Sequence, residues 1–221
     1  MNVKISQIKK QARESLKGKW GVSVLSALVL FAIVELLPIF LGMILKGDSA
    51  QIGGNIFDVI YSIAAIPLSF AFYWFYLNMI RGNKPNIIEI FSIYKNGNHS
   101  LKVIGISLLK TLIILLWSIL FVIPGIIKTI SYSQIYFLIK DHPEYTVTQA
   151  IKESKKRMKG YKCKYFLLGL SFLGWGLLSM ITLGIGLLWF VPYYTTSIAV
   201  FYNELIAPQD YNENKIEDIA I

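Results

Sequence analysis

The chain has 221 residues, 55% of them hydrophobic and only 16% charged, with a mean hydropathy of +0.55. Soluble domains run nearer roughly 45–50% apolar and about 25% charged, so this composition argues against a soluble domain and for a polytopic membrane protein. The net charge of +9 would suit nucleic acid if the basic residues shared one folded surface, but they sit in short segments between apolar runs, which argues against that partner.

The first segment places Ile5, Ile8, Ala12 and Leu16 at helical spacing, opposite Lys9, Lys10, Arg13 and Lys17, as an amphipathic helix would. The apolar stretch 20–45 beyond it is 26 residues long and lacks a small-x-small cleavage site, so it is expected to stay as the first membrane helix. A second runs over 52–80. Asn86 then offers a cap, with Glu89 three residues on and Ile87, Ile90, Phe91 and Tyr94 as the apolar stripe of a second surface helix that Gly97 would stop.

Between Lys102 and Lys140 lie 37 residues, about 55 Å of helix against a hydrocarbon core of about 30 Å, so one straight crossing is excluded. Proline cannot donate the bond a continuing helix needs and glycine takes turn conformations readily, so Pro124-Gly125 is the expected reversal between helices at 103–123 and 126–140. The second arm is short, about 22 Å, and a re-entrant segment is the alternative. Pro143 ends that arm, and Asp141 and Glu144 are expected to stay hydrated or to cap the next helix. Thr146 and Gln149 form a capping box for a third surface helix, with Val147, Ala150, Ile151, Ser154 and Met158 on one face and Lys152, Glu153, Lys155, Lys156, Arg157 and Lys159 on the other. Two last spans, 165–183 and 186–206, turn at Gly184 and Gly186, while Gly169, Gly174 and Gly176 would let the first of them pack closely.

The expected fold is therefore all-α, a single integral membrane domain over 1–221 with about six transmembrane helices and three amphipathic cytoplasmic surface helices. Units of surface helix plus hairpin recur at about 1–80, 81–140 and 141–206, and a polar tail fills 207–221. Lys and Arg number six in 1–19, four in 81–102, eight in 140–164 and one after 206, against Lys46 alone on the other side. That asymmetry puts both termini in the cytoplasm.

The motifs IPGIIK at 123–128, SYS at 131–133, Asp141-His142-Pro143-Glu144, AIKES at 150–154, MKG, LSFLGW, TLGIG and the LKGKW stretch near the N-terminus come in an order that resembles a known family. It comprises the bacterial integral membrane proteins grouped as domain-of-unknown-function family nine-seven-five. The resemblance covers nearly the whole chain and implies a multi-helix bacterial cytoplasmic membrane protein with no established activity. It carries over no catalytic residues.

Charges inside spans are costly enough that each is a candidate site, namely Glu35, Asp58, Lys110 and Lys128. Equal depth suggests a Glu35–Lys128 ion pair with Asp58 as competitor, either an outward-facing solute site or a structural pair that snorkels to headgroups. Ser131, Tyr132, Ser133 and Gln134 form a polar band that lines a cavity or bonds to neighbouring helices. Trp189, Tyr193 and Tyr194 are interfacial anchors or packing groups around Pro192.

His99, His142 and the lone Cys163 make no metal-ligand cluster, and no phosphate loop, HExxH or GxSxG occurs, so neither a cofactor, a metal nor catalysis is expected. The basic residues Lys9, Lys10, Arg13, Lys17, Lys152, Lys155, Lys156, Arg157 and Lys159 are candidates for anionic lipid headgroups. The expected role is non-catalytic: organising lipid, or a partner membrane protein or second copy, in envelope homeostasis. The alternative is a transporter or transporter subunit for a small solute.

Overall fold

A computed structural model describes residues 3–45 and 51–209, and every regular element in them is helical. Lys46 and the tail beyond 209 lie outside the described residues. Helix α1 (Ile5–Leu16) leads through Gly18 into α2 (Trp20–Phe31), which continues through one widened π turn at Ala32–Leu36 into α3 (Leu37–Leu45). Pro38 causes the widening: it has no N–H for the Val34 carbonyl, and the Leu37 N–H reaches back five residues to Ala32 instead. The Tyr61 hydroxyl donates to the Ile33 carbonyl in the same turn.

Helix α4 (Gln51–Ile80) is followed not by an α-helix but by a 3-10 helix, Ile87–Lys95. Its inward residues Ile87, Ile90 and Ile93 recur every third position, as three residues per turn require, and Phe91 and Tyr94 are exposed. The stripe expected from a period of 3.6 is corrected accordingly, and Gly97 opens the next helix, capped by the Asn96 side chain.

Helices α5 (Gly97–Leu120) and α6 (Val122–Ser131) form the expected hairpin, but the reversal is at Phe121, with extended φ of −156°. Pro124 and Gly125 lie in the first turn of α6. A helix needs no donors in its first turn, so proline starts this arm rather than making the bend. Gly125 is there because a Cβ would stand 3.0 Å from the Ser118 Cα, with the Ser118 hydroxyl nearer still.

Helix α7 (Ile135–Asp141) completes that arm. Helix α8 (Val147–Arg157), opened by the predicted box in which Thr146 Oγ1 accepts the Gln149 N–H and Gln149 Oε1 accepts the Thr146 N–H, packs along α5 and α7. Two shorter helices, α9 (Lys162–Leu170) and α10 (Leu173–Ile181), replace one continuous span. A Cβ added at Gly169 or Gly174 would meet nothing within 4 Å, so the close packing expected there does not occur. The turn to α11 (Leu187–Leu205) is as expected: Gly184 has φ +88°, Leu183 φ 51°, and a Cβ on Gly186 would meet the Ser179 Cα at 2.8 Å.

Among the described residues, five stretches are long and apolar enough to cross a membrane: Trp20–Ile44, Ile56–Ile80, Gly97–Ile119, Val122–Asp141 and Lys162–Ile181. This marks a membrane protein. The sixth expected span, now α11, is not among them because Asn203 and Glu204, with Tyr193, Tyr194, Thr195, Thr196, Ser197 and Tyr202, dilute its hydropathy; from Pro192 to Leu205 it is mostly buried at the centre of the bundle. Exposed large apolar residues cluster on α2, α3, the start of α4, the α5–α6 hairpin, α9 and α10. The remaining half holds a core of α4, α7 and α11, covered by α1, the 3-10 helix and α8.

Candidate functional site

Helix α1 is not a detached surface helix. Ile8, Ala12 and Leu16 are fully buried against the bundle, mainly against α11, as their spacing predicts. Lys9 and Arg13, one turn apart, therefore share a face beside that seam. They border a cleft of about 590 Å³ whose walls include Trp20, Trp175, Trp189 and Tyr193, with no carboxylate among the lining residues. Lys9 Nζ donates to the Ser171 carbonyl at 3.0 Å and lies 4.2 Å from the Phe172 ring centre, where the α9–α10 break leaves that carbonyl available. The Tyr193 hydroxyl donates to the Lys9 carbonyl at 3.4 Å. Burial, then the charge of Arg13, pulls the Lys9 ammonium below its ordinary pKa.

Glu35 and Lys128 do not pair, which corrects the expectation drawn from depth alone. Glu35, exposed at the π turn, lines a separate pocket of about 380 Å³ with Asp58, Tyr61, Ser62 and Ser69. Lys128 Nζ stands 4.6 Å from the Trp117 ring centre and within electrostatic reach of Lys155 and Lys162. Lys110 does not snorkel: it donates to the Tyr136 hydroxyl at 2.6 Å, and Tyr136 stacks on Tyr73 at 4.4 Å. The polar band bonds in part to its neighbours, with the Ser154 hydroxyl donating to the Ser131 carbonyl at 2.9 Å and Gln134 Nε2 to Ser133 Oγ at 2.9 Å.

The other basic candidates divide. Lys10, Lys17, Lys152, Lys155, Lys156 and Lys159 are exposed. Lys10 and Lys156 stand 3.9 Å from Glu14 and Glu153. Arg157, expected at the headgroups, is instead 2% exposed and bonded to Tyr145 Oη at 3.2 Å and Glu153 at 3.5 Å. Asp141 is not left to water either. Arg81 donates to both its oxygens at 2.6 Å and the Tyr202 hydroxyl adds a third bond at 2.8 Å, clasping the ends of α4, α7 and α11. Pro143 comes just after the end of α7 as predicted.

Trp20 and Trp175 were missed by sequence reasoning; Trp20, at the start of a span beside a basic helix, carries a legible interfacial signal, whereas Trp175 is mid-span and carries none. No curated protein and no solved structure matches this chain. The order of short motifs is matched by a family model over residues 1–132 and 119–209, and the chain belongs to the family described as Protein of unknown function (DUF975).

Proposed function

We propose that the protein is a non-catalytic integral membrane protein of the bacterial cytoplasmic membrane that binds and organises anionic lipid. In this reading α11 is the sixth crossing, both termini are cytoplasmic, and α1 and α8 bring their basic faces to the inner headgroup layer. The observation that carries it is the juxtaposition of an apolar belt with cations, the half-buried Lys9 and the exposed Arg13 above all, beside tryptophans. Cations near an anionic leaflet are worth about 1 kcal/mol each, and tryptophan favours the interface. Mass spectrometry of the protein gently released from its own membrane tests it: anionic lipids enriched over their bulk share are expected, and bulk proportions would refute it.

A second reading, transport of a small solute, is favoured by one observation, the pocket where Glu35 and Asp58 meet at a π turn. Widened turns recur at functional sites. A cellular phenotype lost in the Glu35→Gln, Asp58→Asn double variant, with expression unchanged, would make this the leading reading.

A further inference from the structure

The cleft beside α1 has the makings of a binding site with its counter-charge missing. Two cations border it, Lys9 half-buried and Arg13 exposed, and no lining residue is acidic. Glu14, next to Arg13, leans toward Lys10 instead. Lys9 is held by Ser171, whereas the Arg13 guanidinium has no hydrogen-bond or ion-pair partner among the described residues. The indole N–H groups of Trp20, Trp175 and Trp189 likewise have none there. Indole N–H groups usually find a partner, and arginine's planar fork matches a phosphate. Arg13 and these three tryptophans line one space whose volume is within the range of small-molecule sites.

The two ends of the cleft differ in chemistry. Lys9 and Arg13 come from a polar helix, while Trp175 and Trp189 are each 52% exposed, and Leu178, one turn on from Trp175, adds exposed apolar surface beside it. A ligand that fits both ends carries a negative group at one end and a hydrocarbon body at the other.

We propose that this cleft holds the phosphodiester headgroup of one anionic phospholipid, with Arg13 and the indole N–H groups on its oxygens and its acyl chains over Trp175, Trp189 and the adjoining apolar surface. The assignment rests on the lipid-binding reading above and narrows it to one place. Lys9 does not leave Ser171; it supplies a fixed positive potential behind Arg13. A bound phosphate offsets the repulsion between these two cations, which no protein carboxylate in the cleft does.

The test uses the full chain in nanodiscs of phosphatidylglycerol or phosphatidylcholine, with retained lipid counted by native mass spectrometry. Wild type is compared with Arg13→Gln, Trp189→Leu and a Lys155→Gln, Lys156→Gln variant on α8, all checked for helix content by circular dichroism. One phosphatidylglycerol is expected to survive activation in wild type and in the α8 variant, and its retention to fall by at least roughly tenfold in Arg13→Gln, as loss of a charge-assisted phosphate contact implies. Undiminished retention in both Arg13→Gln and Trp189→Leu, with loss in the α8 variant, overturns the cleft and leaves the lipid-binding reading standing. No preference for phosphatidylglycerol in wild type overturns both. Arg13-dependent capture of inorganic phosphate by detergent-solubilised protein that keeps no phosphatidylglycerol marks a free-phosphate site and overturns the lipid.

Discussion

Replacing Gly125 with alanine puts a methyl group into a close contact of the α5–α6 hairpin. The added Cβ stands 3.0 Å from the Ser118 Cα and 3.1 Å from its Cβ, and backbone cannot swing aside as a long side chain does. Overpacking of this kind costs roughly 1–3 kcal/mol, and the gain from alanine over glycine in a helix returns about 0.5–1, leaving a net loss of about 1–2 kcal/mol. Gly174→Ala is the matched control, because nothing lies within 4 Å of its Cβ position. Unfolding in detergent, monitored by the fluorescence of Trp117 adjacent to Ser118, measures both. Ser118→Gly in the Gly125→Ala background removes the nearest atoms and restores part of the loss, a coupling of at least about 0.5 kcal/mol. Equal stability of Gly125→Ala and Gly174→Ala would refute the reasoning.

Asp141→Asn removes the charge that Arg81 grips and is expected to cost about 1.5–3 kcal/mol, against about 0.5–1.5 for Tyr202→Phe; melting curves in detergent that coincide with wild type would contradict the clasp. Gly18 and Gly160 have φ of +76° and +88°, and alanine at either is expected to lose about 1–2 kcal/mol, again read by melting; a neutral result at either would show that its connector readily takes another conformation. Cys163 is exposed at the start of α9, and a membrane-impermeant maleimide is expected to label it only after cells are permeabilised; labelling of intact cells would invert the proposed orientation.

Legibility in the sequence was set by how local each cause is. The buried face of α1 and the Thr146 box depend on residues within two turns of one another, and both formed as expected. The Pro124 rule was correct about the break and wrong about its side, since proline is as compatible with a helix start as with a turn. The 3-10 helix at Ile87–Lys95 showed itself only in a period of three that a period of 3.6 nearly matches over nine residues. Pairings across the bundle were illegible: Arg81 and Asp141 are 60 positions apart. Equal depth in a membrane says nothing of which way round the helix a side chain faces, so Glu35 and Lys128 were matched in height and not in direction. The cleft was half legible, in Lys9, Arg13 and Trp189, and its closing wall depends on the break at Ser171.

The placement of α11 bears on how this protein is made. Ribosomes deliver helices in order, so α1, α2 and α4 are in place before the helix that fills the space between them exists. Until Pro192 to Leu205 emerges, Ile8, Leu16 and Tyr76 have no finished core to enter, and the Arg81–Asp141 pair lacks Tyr202. A nascent chain halted after α10 would display the seam that α11 covers, which is the kind of surface that membrane quality-control proteases can recognise. Among the described helices α11 is thus both the centrepiece of the bundle and the one whose late arrival leaves the earlier packing unfinished.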